Sequence, residues 1–431
     1  MDWLLGAKKH SGAKWERAMR EAPDARDMQP SSALAQAQSI PLATDGLSDP
    51  TIPASVPKWN LILPQNPVTA LGSSVEQQLD FNIQCQDVGK IQNLLVNFNY
   101  STAAGKTPII VPTPYFVNRV DFFAPDGSTL ETLYNDQLWV ESCTLLTDQA
   151  VATVAPLFNF KVNATAPFIS FNSATVASTT YNHWLSLNGS FLAACQPYLK
   201  GCGSGYFKIR LYLATNLSTD GSANTQGTLT ANYVNLWVQE AVLSANAEEA
   251  LKRAHHTGIQ YSSVVRNMYS LTMAAQAVST TFTLQLQGFF AESAGLYVMF
   301  KPSNSNADSI TRSPIASMYL QDSQGRQLTQ NMSAELMEAI VAPSVVAVSS
   351  YFINTSTQTT YLFPFSTNLQ RVIEGKSLGS YQLTGNERFV GTTTSSGALA
   401  LGSLFNAISW DYSKLVVVNN SPRQFVLGSN S

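Results

Sequence analysis

Charged side chains are scarce in this chain. Only 12% of its 431 residues are Asp, Glu, Lys or Arg, whereas about 25% is usual for a soluble globular protein. The polar part of the surface must therefore consist mainly of Ser, Thr, Asn and Gln. Two explanations are open. Either much of the surface faces other protein subunits, where burying charge is costly, or the chain is a secreted β-sandwich with a Thr/Ser/Asn-rich exterior.

A basic excess is also missing. The formal net charge is −3 at pH 7, from 25 Lys and Arg against 28 Asp and Glu. A protein that binds nucleic acid through general electrostatics needs many Lys or Arg side chains to displace counterions from the phosphates. We therefore predict no general nucleic-acid binding and no direct sequence-specific recognition of nucleic acid.

Cysteines are few and their spacing is uninformative for metals. Cys85, Cys143, Cys195 and Cys202 form no CxxC pair and no Cys/His ligand pattern, so we predict neither a zinc ribbon nor a redox motif. The expected metal and cofactor content is none. Two states of the thiols are compatible with the sequence: buried free cysteines, or a disulfide between Cys195 and Cys202 across a Gly-rich loop.

Histidine, the usual catalytic base, is nearly absent from the parts of the chain expected to fold. His10 lies in the N-terminal segment, and His255 and His256 are neighbours on a predicted helix, where adjacent residues face different directions. His183, beside Trp184, is typical of a packed strand residue. No GxSxG, HExxH, P-loop or GxGxxG motif occurs in a suitable context. We therefore predict no catalytic residues and no enzyme activity.

Acidic residues are too few and too regularly placed to indicate a glycosidase. A cluster of five lies at predicted turns and helix starts, where each has an ordinary structural role: Asp121, Asp126, Glu131, Asp136 and Glu141. A β-sandwich hydrolase remains a minor hypothesis, because paired carboxylates can be distant along a chain. It would require turnover that disappears when an acid such as Asp121 or Glu141 is changed.

Long apolar runs are missing as well. The longest, residues 339–348, contains Pro343 and is far shorter than the roughly 20 residues of a membrane span. The start, MDWLLGAKKHSG, lacks the apolar core of a secretory signal. We expect synthesis and use inside a cell, without membrane insertion.

Residues 1–22 are predicted to form a separate amphipathic helix, which Pro23 ends. Its local charge is positive, and it carries Trp3 and Trp15. Such a helix could lie in the interface of an anionic bilayer or dock on its own or a neighbouring subunit. Residues 23–58, rich in Pro, Ser, Ala and Gln, are predicted to form an extended arm, either a disordered linker or a strap ordered by neighbours.

The remainder of the chain reads as two β-rich units, because single cores usually stop growing at about 250 to 300 residues. Short apolar segments such as 78–83, 94–98 and 206–214 recur through residues 59–245, and segments such as 296–300 and 414–418 recur through residues 261–431. Their length and spacing are typical of antiparallel sandwiches or barrels. The Gly-rich stretch 201–205 is expected to be an exposed loop.

Residues 246–260 are predicted to connect the two units through a helix over 247–256. Asn246 is the expected N-cap, Glu248 and Glu249 pair with Lys252 and Arg253 at i,i+4, and Gly258 follows the end. We predict a connective role for this helix and no metal site at its histidines.

The most informative feature is an internal repeat with an offset of 198 residues. Residues 117–141, VNRVDFFAPDGSTLETLYNDQLWVE, match residues 315–338, IASMYLQDSQGRQLTQNMSAELME, in pattern. Each has an alternating strand, a turn at Gly127 or Gly325, a second short strand and a helix start. Two tandem units of one fold explain such a period. The matched apolar positions are Val120 with Met318, Phe122 with Leu320, Leu130 with Leu328 and Leu138 with Leu336; the candidate helix starts are Asn135, Asp136, Asn331 and Ser333.

Together these features resemble the double jelly-roll major capsid proteins of tailless icosahedral viruses, the lineage that includes tectiviruses and the adenovirus hexon. The resemblance covers residues 59–431 and includes VNRVDFFAPDGSTL and YLFPFSTNLQRVIEGKSLGSYQLTGNERF. It implies an all-β fold: two tandem eight-stranded jelly rolls with short helices, preceded by the N-terminal helix and arm. No short invariant motif defines this family.

The resemblance implies a structural function. Family members form homotrimeric capsomers with a pseudo-hexagonal outline in the shell of an icosahedral virus or bacteriophage. The implied partners are other copies, neighbouring capsomers, vertex proteins and an internal lipid membrane, and the implied location is the virion capsid after synthesis in the host cytoplasm. The membrane-facing residues by this hypothesis are Trp3, Leu4, Lys8, Lys9, Lys14, Trp15 and Arg17. The alternative function is a carbohydrate-binding β-sandwich protein, lectin-like or glycan-active.

Overall fold

The computed structural model describes most of the chain beyond the N-terminal segment. The described residues are 56–101, 108–110, 113–144, 160–162, 169–173, 180–215, 217–220, 229–301, 314–337, 360–369, 372 and 379–426. The predicted N-terminal helix and nearly all of the predicted arm lie outside these ranges.

The first jelly roll is built from strands β1 to β13. Their bounds are β1 (Val56–Ile62), β2 (Ala70–Leu71), β3 (Gln77–Gln84), β4 (Lys90–Ser101), β5 (Pro108–Ile110), β6 (Val117–Phe123), β7 (Thr129–Tyr134), β8 (Phe160–Val162), β9 (Ile169–Ser173), β10 (Thr180–Ser186), β11 (Tyr206–Leu213), β12 (Ser218–Asp220) and β13 (Leu229–Val242). The strands alternate apolar and polar residues, which suits a sheet with one buried face.

The second jelly roll is built from strands β14 to β23. Their bounds are β14 (Ile259–Thr272), β15 (Thr281–Gln285), β16 (Glu292–Lys301), β17 (Ile315–Gln321), β18 (Met332–Ser333), β19 (Thr360–Pro364), β20 (Tyr381–Gln382), β21 (Arg388–Thr393), β22 (Leu404–Val418) and β23 (Ser421–Val426). The expected segment 414–418 is therefore only the end of the much longer β22.

Both jelly rolls have the same strand order. In the first, the β1 sheet runs β1-β13-β4-β10 and the β3 sheet runs β3-β11-β6-β7. In the second, the β14 sheet runs β14-β22-β16-β19 and the β15 sheet runs β15-β21-β17-β18. If the eight main strands of each unit are counted along the chain, both units pair first-eighth-third-sixth and second-seventh-fourth-fifth. This is the jelly-roll arrangement, and the predicted all-β fold with two tandem jelly rolls is confirmed.

The helices are short and lie between strands. They are α1 (Asn135–Thr144), α2 (Phe191–Cys195), α3 (Ala245–Thr257) and α4 (Ala334–Leu336), with 3-10 turns η1 (Thr113–Phe116) and η2 (Leu199–Gly201). The connector α3 starts earlier than expected, because the side chain of Ser244, not Asn246, accepts the capping hydrogen bond from Ala247 N. Gly258 ends it as predicted.

The repeated hairpin is the same in both jelly rolls. In the first copy, Gly127 has φ 85° and the turn is closed by a bond from Ala124 N to Ser128 O of 2.8 Å. In the second, Gly325 has φ 80° and the matching bond, Asp322 N to Arg326 O, is 2.9 Å. Each pair of positions differs by the predicted offset, so the internal repeat corresponds to the same two strands of each unit.

The β14 sheet is buried on both faces. Along β16, Leu296, Val298 and Phe300 pack into the core of the second jelly roll. The alternate residues Tyr297 and Met299 are buried in one cluster with the core of the first jelly roll. Because successive side chains of a strand point to opposite faces, the β14 sheet lies between its own β15 sheet and the first jelly roll. This explains the nearly unbroken apolar run AGLYVMF within β16, which spans Glu292–Lys301.

Candidate functional site

The candidate functional site is the interface between the two jelly rolls. It holds two units of the same strand order in one fixed relative position through a shared buried cluster. On the first jelly roll, it is formed by β7, α1 and α2, which we call the flank. On the second, it is formed by the outer face of the β14 sheet. Val264, Ile408 and Trp410 of that face are buried in one cluster with Leu138 and Phe191 of the flank.

A buried ion pair lies at the centre of this interface. Glu131 on β7 and Arg266 on β14 approach to 3.4 Å, and each side chain is only 1% exposed. Glu131 Oε1 also accepts from Arg266 N at 2.9 Å, and Oε2 accepts from Phe191 N at 2.6 Å. The guanidinium lies 5.3 Å from the centre of the Trp410 ring, within cation–π range.

Burial raises the pKa of the Glu131 carboxyl, and the charge of Arg266 and the backbone hydrogen bonds oppose that rise. The arrangement satisfies the conditions under which an ion pair survives desolvation: short hydrogen bonds to both carboxylate oxygens and an aromatic face against the cation. The pair fixes the relative position of β7, α2 and β14.

Helix α1 adds a second set of polar contacts across the interface. Asn406 on β22 donates to Asp136 Oδ2 at 2.8 Å, and the Gln137 side chain donates to the Arg266 carbonyl at 3.4 Å. These groups are all buried, so removal of either partner would leave the other buried and unsatisfied. The relative orientation of the two jelly rolls is thereby specified by hydrogen bonds as well as by apolar packing.

The connector helix α3 is anchored by a chain of buried polar groups. His255 Nδ1 lies 2.6 Å from Leu251 O, and its Nε2 lies 3.1 Å from the Tyr261 hydroxyl. That hydroxyl accepts from Tyr198 N at 3.2 Å. Burial lowers the pKa of His255, which keeps the ring neutral and able to accept at Nε2. His255 therefore has the structural role expected from the sequence.

Buried His183 lies on β10 among aromatic rings. Its Nδ1 is 2.8 Å from the Tyr100 hydroxyl, and its ring lies 5.7 Å from that of Tyr181 and 6.4 Å from that of Phe116. Burial lowers the pKa of His183 to about 4. The expectation that His183 packs against Trp184 is wrong, because neighbouring side chains of a strand point to opposite faces of the sheet. A neutral imidazole in this setting packs and accepts or donates one hydrogen bond.

The predicted acidic cluster is dispersed by the fold. Asp126 closes the hairpin turn by accepting from Ser128 N at 2.9 Å, and Asp121 accepts from Thr132 Oγ1 at 2.9 Å. Asp136 and Glu131 face the second jelly roll, as described above. The side chain of Glu141 lies outside the described residues. Each described member of the cluster thus has a structural partner on a different part of the surface or interface.

The cysteines and the Gly-rich stretch are more buried than the loop interpretation implied. Cys85, Cys195 and Cys202 are free and buried, so the structure has free thiols and no disulfide between Cys195 and Cys202. The side chain of Cys143 is outside the described residues. The prediction of an exposed loop over 201–205 is wrong for Gly201 and Cys202, which are buried. For Gly201 the reason is that η2 passes directly under the connector helix, where an added Cβ would clash with the ring of His255.

The described ranges contain neither a metal centre nor a membrane-spanning helix. No group of three or more His, Cys, Asp or Glu side chains in the described residues is placed to hold a metal ion. No helix in the same residues is long and apolar enough to cross a bilayer. The proposed membrane-facing residues all lie outside the part of the chain that the structure describes: Trp3, Leu4, Lys8, Lys9, Lys14, Trp15 and Arg17.

Comparison with known proteins identifies the fold. No family model matches the sequence, and no curated protein matches it. Solved structures do match. The crystal structure of PBCV-1 VP54, fitted into a reconstruction of the virophage Sputnik, is 12% identical with a TM-score of 0.66, over 86% of this chain and 97% of that chain.

Two further structures extend the comparison to other viruses. The Faustovirus major capsid protein is 10% identical with a TM-score of 0.51, over 91% of this chain and 99% of that chain. The mavirus major capsid protein is 10% identical with a TM-score of 0.50, over 86% and 90% of the two chains. The chain therefore has the double jelly-roll fold of these major capsid proteins, as the sequence resemblance predicted.

Proposed function

We propose that this chain is a major capsid protein, which assembles with copies of itself into the shell of an icosahedral virus. The observation that carries the proposal is the presence of two jelly rolls of one strand order, packed flank to face within one chain. A shell needs building blocks with repeated, similar edges, and an internal duplication supplies them. The Faustovirus and mavirus structures that share this fold are major capsid proteins, which favours this function over the carbohydrate-binding alternative.

The building block we propose is a homotrimer. Two similar jelly rolls per chain, arranged around a closed three-fold axis, give six similar edges and hence a pseudo-hexagonal outline. Such a block can contact six neighbours on a surface. Interfaces of this kind are depleted in charged residues, which agrees with the charge content of only 12%. The function is structural, and we propose no catalytic step.

We propose the location and the other partners of the protein on the same basis. The shell would be part of the virion, with synthesis in the host cytoplasm, and vertex proteins would close it at its five-fold positions. We also propose that residues 1–22 lie against an internal membrane. Their sequence supports this, because an amphipathic basic helix with tryptophans suits the interface of an anionic bilayer.

The test of the main proposal is the mass and shape of the purified full chain. Light scattering coupled to size exclusion should give three chains per particle, and negative-stain electron microscopy should show a flat particle with six similar edges. A stable monomer at micromolar concentration, with no assembly at higher concentration, would contradict the proposal. Turnover of a glycan by that monomer would support the hydrolase hypothesis instead.

A further inference from the structure

The C-terminal end of helix α3 is the place where the chain itself joins the two jelly rolls. His255 lies in the last turn of α3, and its side chain is fully buried. Only Gly258 separates the helix from strand β14. The backbone N–H groups of Asn419 and Asn420, in the turn between β22 and β23, donate to the last two carbonyls before Thr257 at 3.3 Å. We call this region the joint, and it consists of residues 198–202, 251–261 and 419–420.

The hydrogen bonds of the joint require a neutral His255. Its Nδ1 lies 2.6 Å from Leu251 O, and because a carbonyl only accepts, Nδ1 carries the hydrogen. Its Nε2 lies 3.1 Å from the Tyr261 hydroxyl, so that hydroxyl donates to the ring. The same hydroxyl accepts from Tyr198 N at 3.2 Å. Every donor in this series has an acceptor, and the series connects α3, β14 and the start of η2.

A proton added to His255 disrupts these hydrogen bonds. In the charged ring both nitrogens carry a hydrogen and only donate, so the Tyr261 hydroxyl loses its acceptor. Burial lowers the pKa of His255, although the main-chain carbonyls of Leu251 and Tyr198 favour the charged form. Unpaired carbonyls at a helix C-terminus usually favour a cation, but here the turn between β22 and β23 already donates to them. The closed joint therefore disfavours the proton.

No carboxylate contacts the ring of His255 in the described part of the chain. The two acids of α3 are engaged elsewhere, because Glu248 lies 3.3 Å from Lys200 Nζ and Glu249 lies 2.6 Å from Arg253. The turn between β22 and β23 contributes only neutral residues. The charged and titratable groups of the elements around the ring are Glu248, Glu249, Lys252, Arg253 and His256 on α3, Tyr198, Lys200 and Cys202 around η2, Cys195 on α2 and Tyr261 on β14.

The thiol of Cys202 lies inside the joint and can report its state. Cys202 is 2% exposed, and its Sγ donates to Tyr198 O at 3.7 Å. Tyr198 is also the residue whose N–H donates to Tyr261. Separation of η2 from β14 would therefore expose this thiol to solvent.

We propose that the joint is an acid-sensitive switch, which is closed while His255 is neutral and opens locally when His255 takes up a proton. Opening separates η2 from α3 and β14. The ordinary pKa of histidine is 6.5, and that of His255 in the closed joint is lower, so acid favours the open form below about pH 6.5. The inference concerns contacts within one chain and does not rest on the proposed shell function.

The test follows the reaction of Cys202 in the full-length protein with 4,4′-dithiodipyridine, a disulfide reagent that labels thiols in acid as well as at neutral pH. Mass spectrometry of the peptides identifies the labelled cysteine. The rate, divided by that of glutathione at the same pH, should be constant from about pH 8 to about pH 6.5. Below that it should rise about tenfold per pH unit, because opening takes up one proton. Circular dichroism at each pH should show that the sheets remain folded.

Two variants assign the rise to His255. His255→Gln cannot take up a proton, so its labelling rate should not depend on pH. His183→Gln, at a buried histidine of β10, is the control and should keep the wild-type rise. Tyr261→Phe removes a hydrogen bond from the neutral closed joint only. It should therefore raise the rate at neutral pH and reduce the rise in acid.

Three results would overturn the proposal: a flat profile for the wild type, a rise of wild-type size in folded His255→Gln, or a Tyr261→Phe rate that is higher by the same factor at every pH. If His255→Gln does not fold, Tyr261→Phe decides alone. The labelling is scored on the chain in any oligomeric state. A monomer that shows the rise would thus contradict the shell function and support the switch.

Discussion

Gly201 lies directly against the ring of His255: a Cβ added to Gly201 would stand 2.4 Å from His255 Cγ. This close approach joins η2 of the first jelly roll to the connector helix that leads into the second. It explains why a residue without a side chain occupies a buried position, although glycine-rich stretches usually indicate exposed loops.

Gly201→Ala should destabilise the protein by about 1–3 kcal/mol, because the added methyl group has to displace a buried ring. Urea denaturation of the full chain would measure the change. In a His255→Ala background the same substitution should cost clearly less, since the clash has been removed. Equal costs in the two backgrounds would show that the contact with His255 is not responsible.

Glu131→Ala should destabilise the protein by about 3–5 kcal/mol, because it leaves the buried Arg266 without its carboxylate. The double variant Glu131→Leu/Arg266→Met should be more stable than that single variant, since no charge then remains buried. Glu249→Ala, which breaks the exposed pair with Arg253, is the control and should cost about 0.5 kcal/mol. Denaturation midpoints would rank the three, and a double variant less stable than Glu131→Ala would contradict the explanation.

Acidification should lower the free energy of unfolding because buried His183 takes up a proton less readily in the folded chain than in the unfolded chain. Its pKa falls from an ordinary 6.5 to about 4 on burial, so between these values the unfolded chain holds a proton that the folded chain does not. The free energy of unfolding should therefore fall as the pH is lowered through this window, by up to about 3 kcal/mol from this group.

Denaturation curves between pH 4 and 7 would show this dependence, and His183→Gln should make it shallower. The exposed His256 provides the control, since His256→Gln should leave the slope unchanged. The buried Asp411 acts in the opposite sense, because burial raises its pKa to about 6 and stability from this group declines as the pH rises through that value. A slope identical in wild type and His183→Gln would rule out His183 as the source.

Removal of residues 1–22 should abolish binding to anionic liposomes and leave the oligomer mass unchanged. The physical reason is that this segment carries the basic residues and tryptophans expected to enter the bilayer interface. Co-flotation with vesicles containing anionic lipid would measure binding, and neutral vesicles would serve as the comparison. Equal flotation of the full-length and truncated proteins would show that the N-terminal helix is not the membrane contact.

The duplicated fold was predictable because its signals are local. The hairpins at Gly127 and Gly325 need positive φ at one fixed place, and alternating apolar residues on either side identify the strands. The offset between the two hairpins then indicates two units. Strand β14 was not recognised, because it is polar at one end and carries Arg266 in its middle, so it does not follow a simple alternation.

The interface between the units was not predictable from local pattern. Glu131 and Arg266 are distant along the chain, and each alone resembles an ordinary surface residue. One signal was present: each is a charged residue within a mainly apolar strand segment, LETLY for Glu131 and VVRNMY for Arg266. Such residues are seldom buried without a partner, but the sequence does not indicate which partner the fold supplies.

The order of synthesis matters for a sheet that has apolar residues on both faces. The β14 sheet belongs to the half that leaves the ribosome last, and domains generally fold as units from the N-terminus during translation. The first jelly roll can therefore be complete before β22 emerges, ready to shield the rings of Tyr297 and Trp410. Expressed alone, the C-terminal half would present those rings to water and should aggregate.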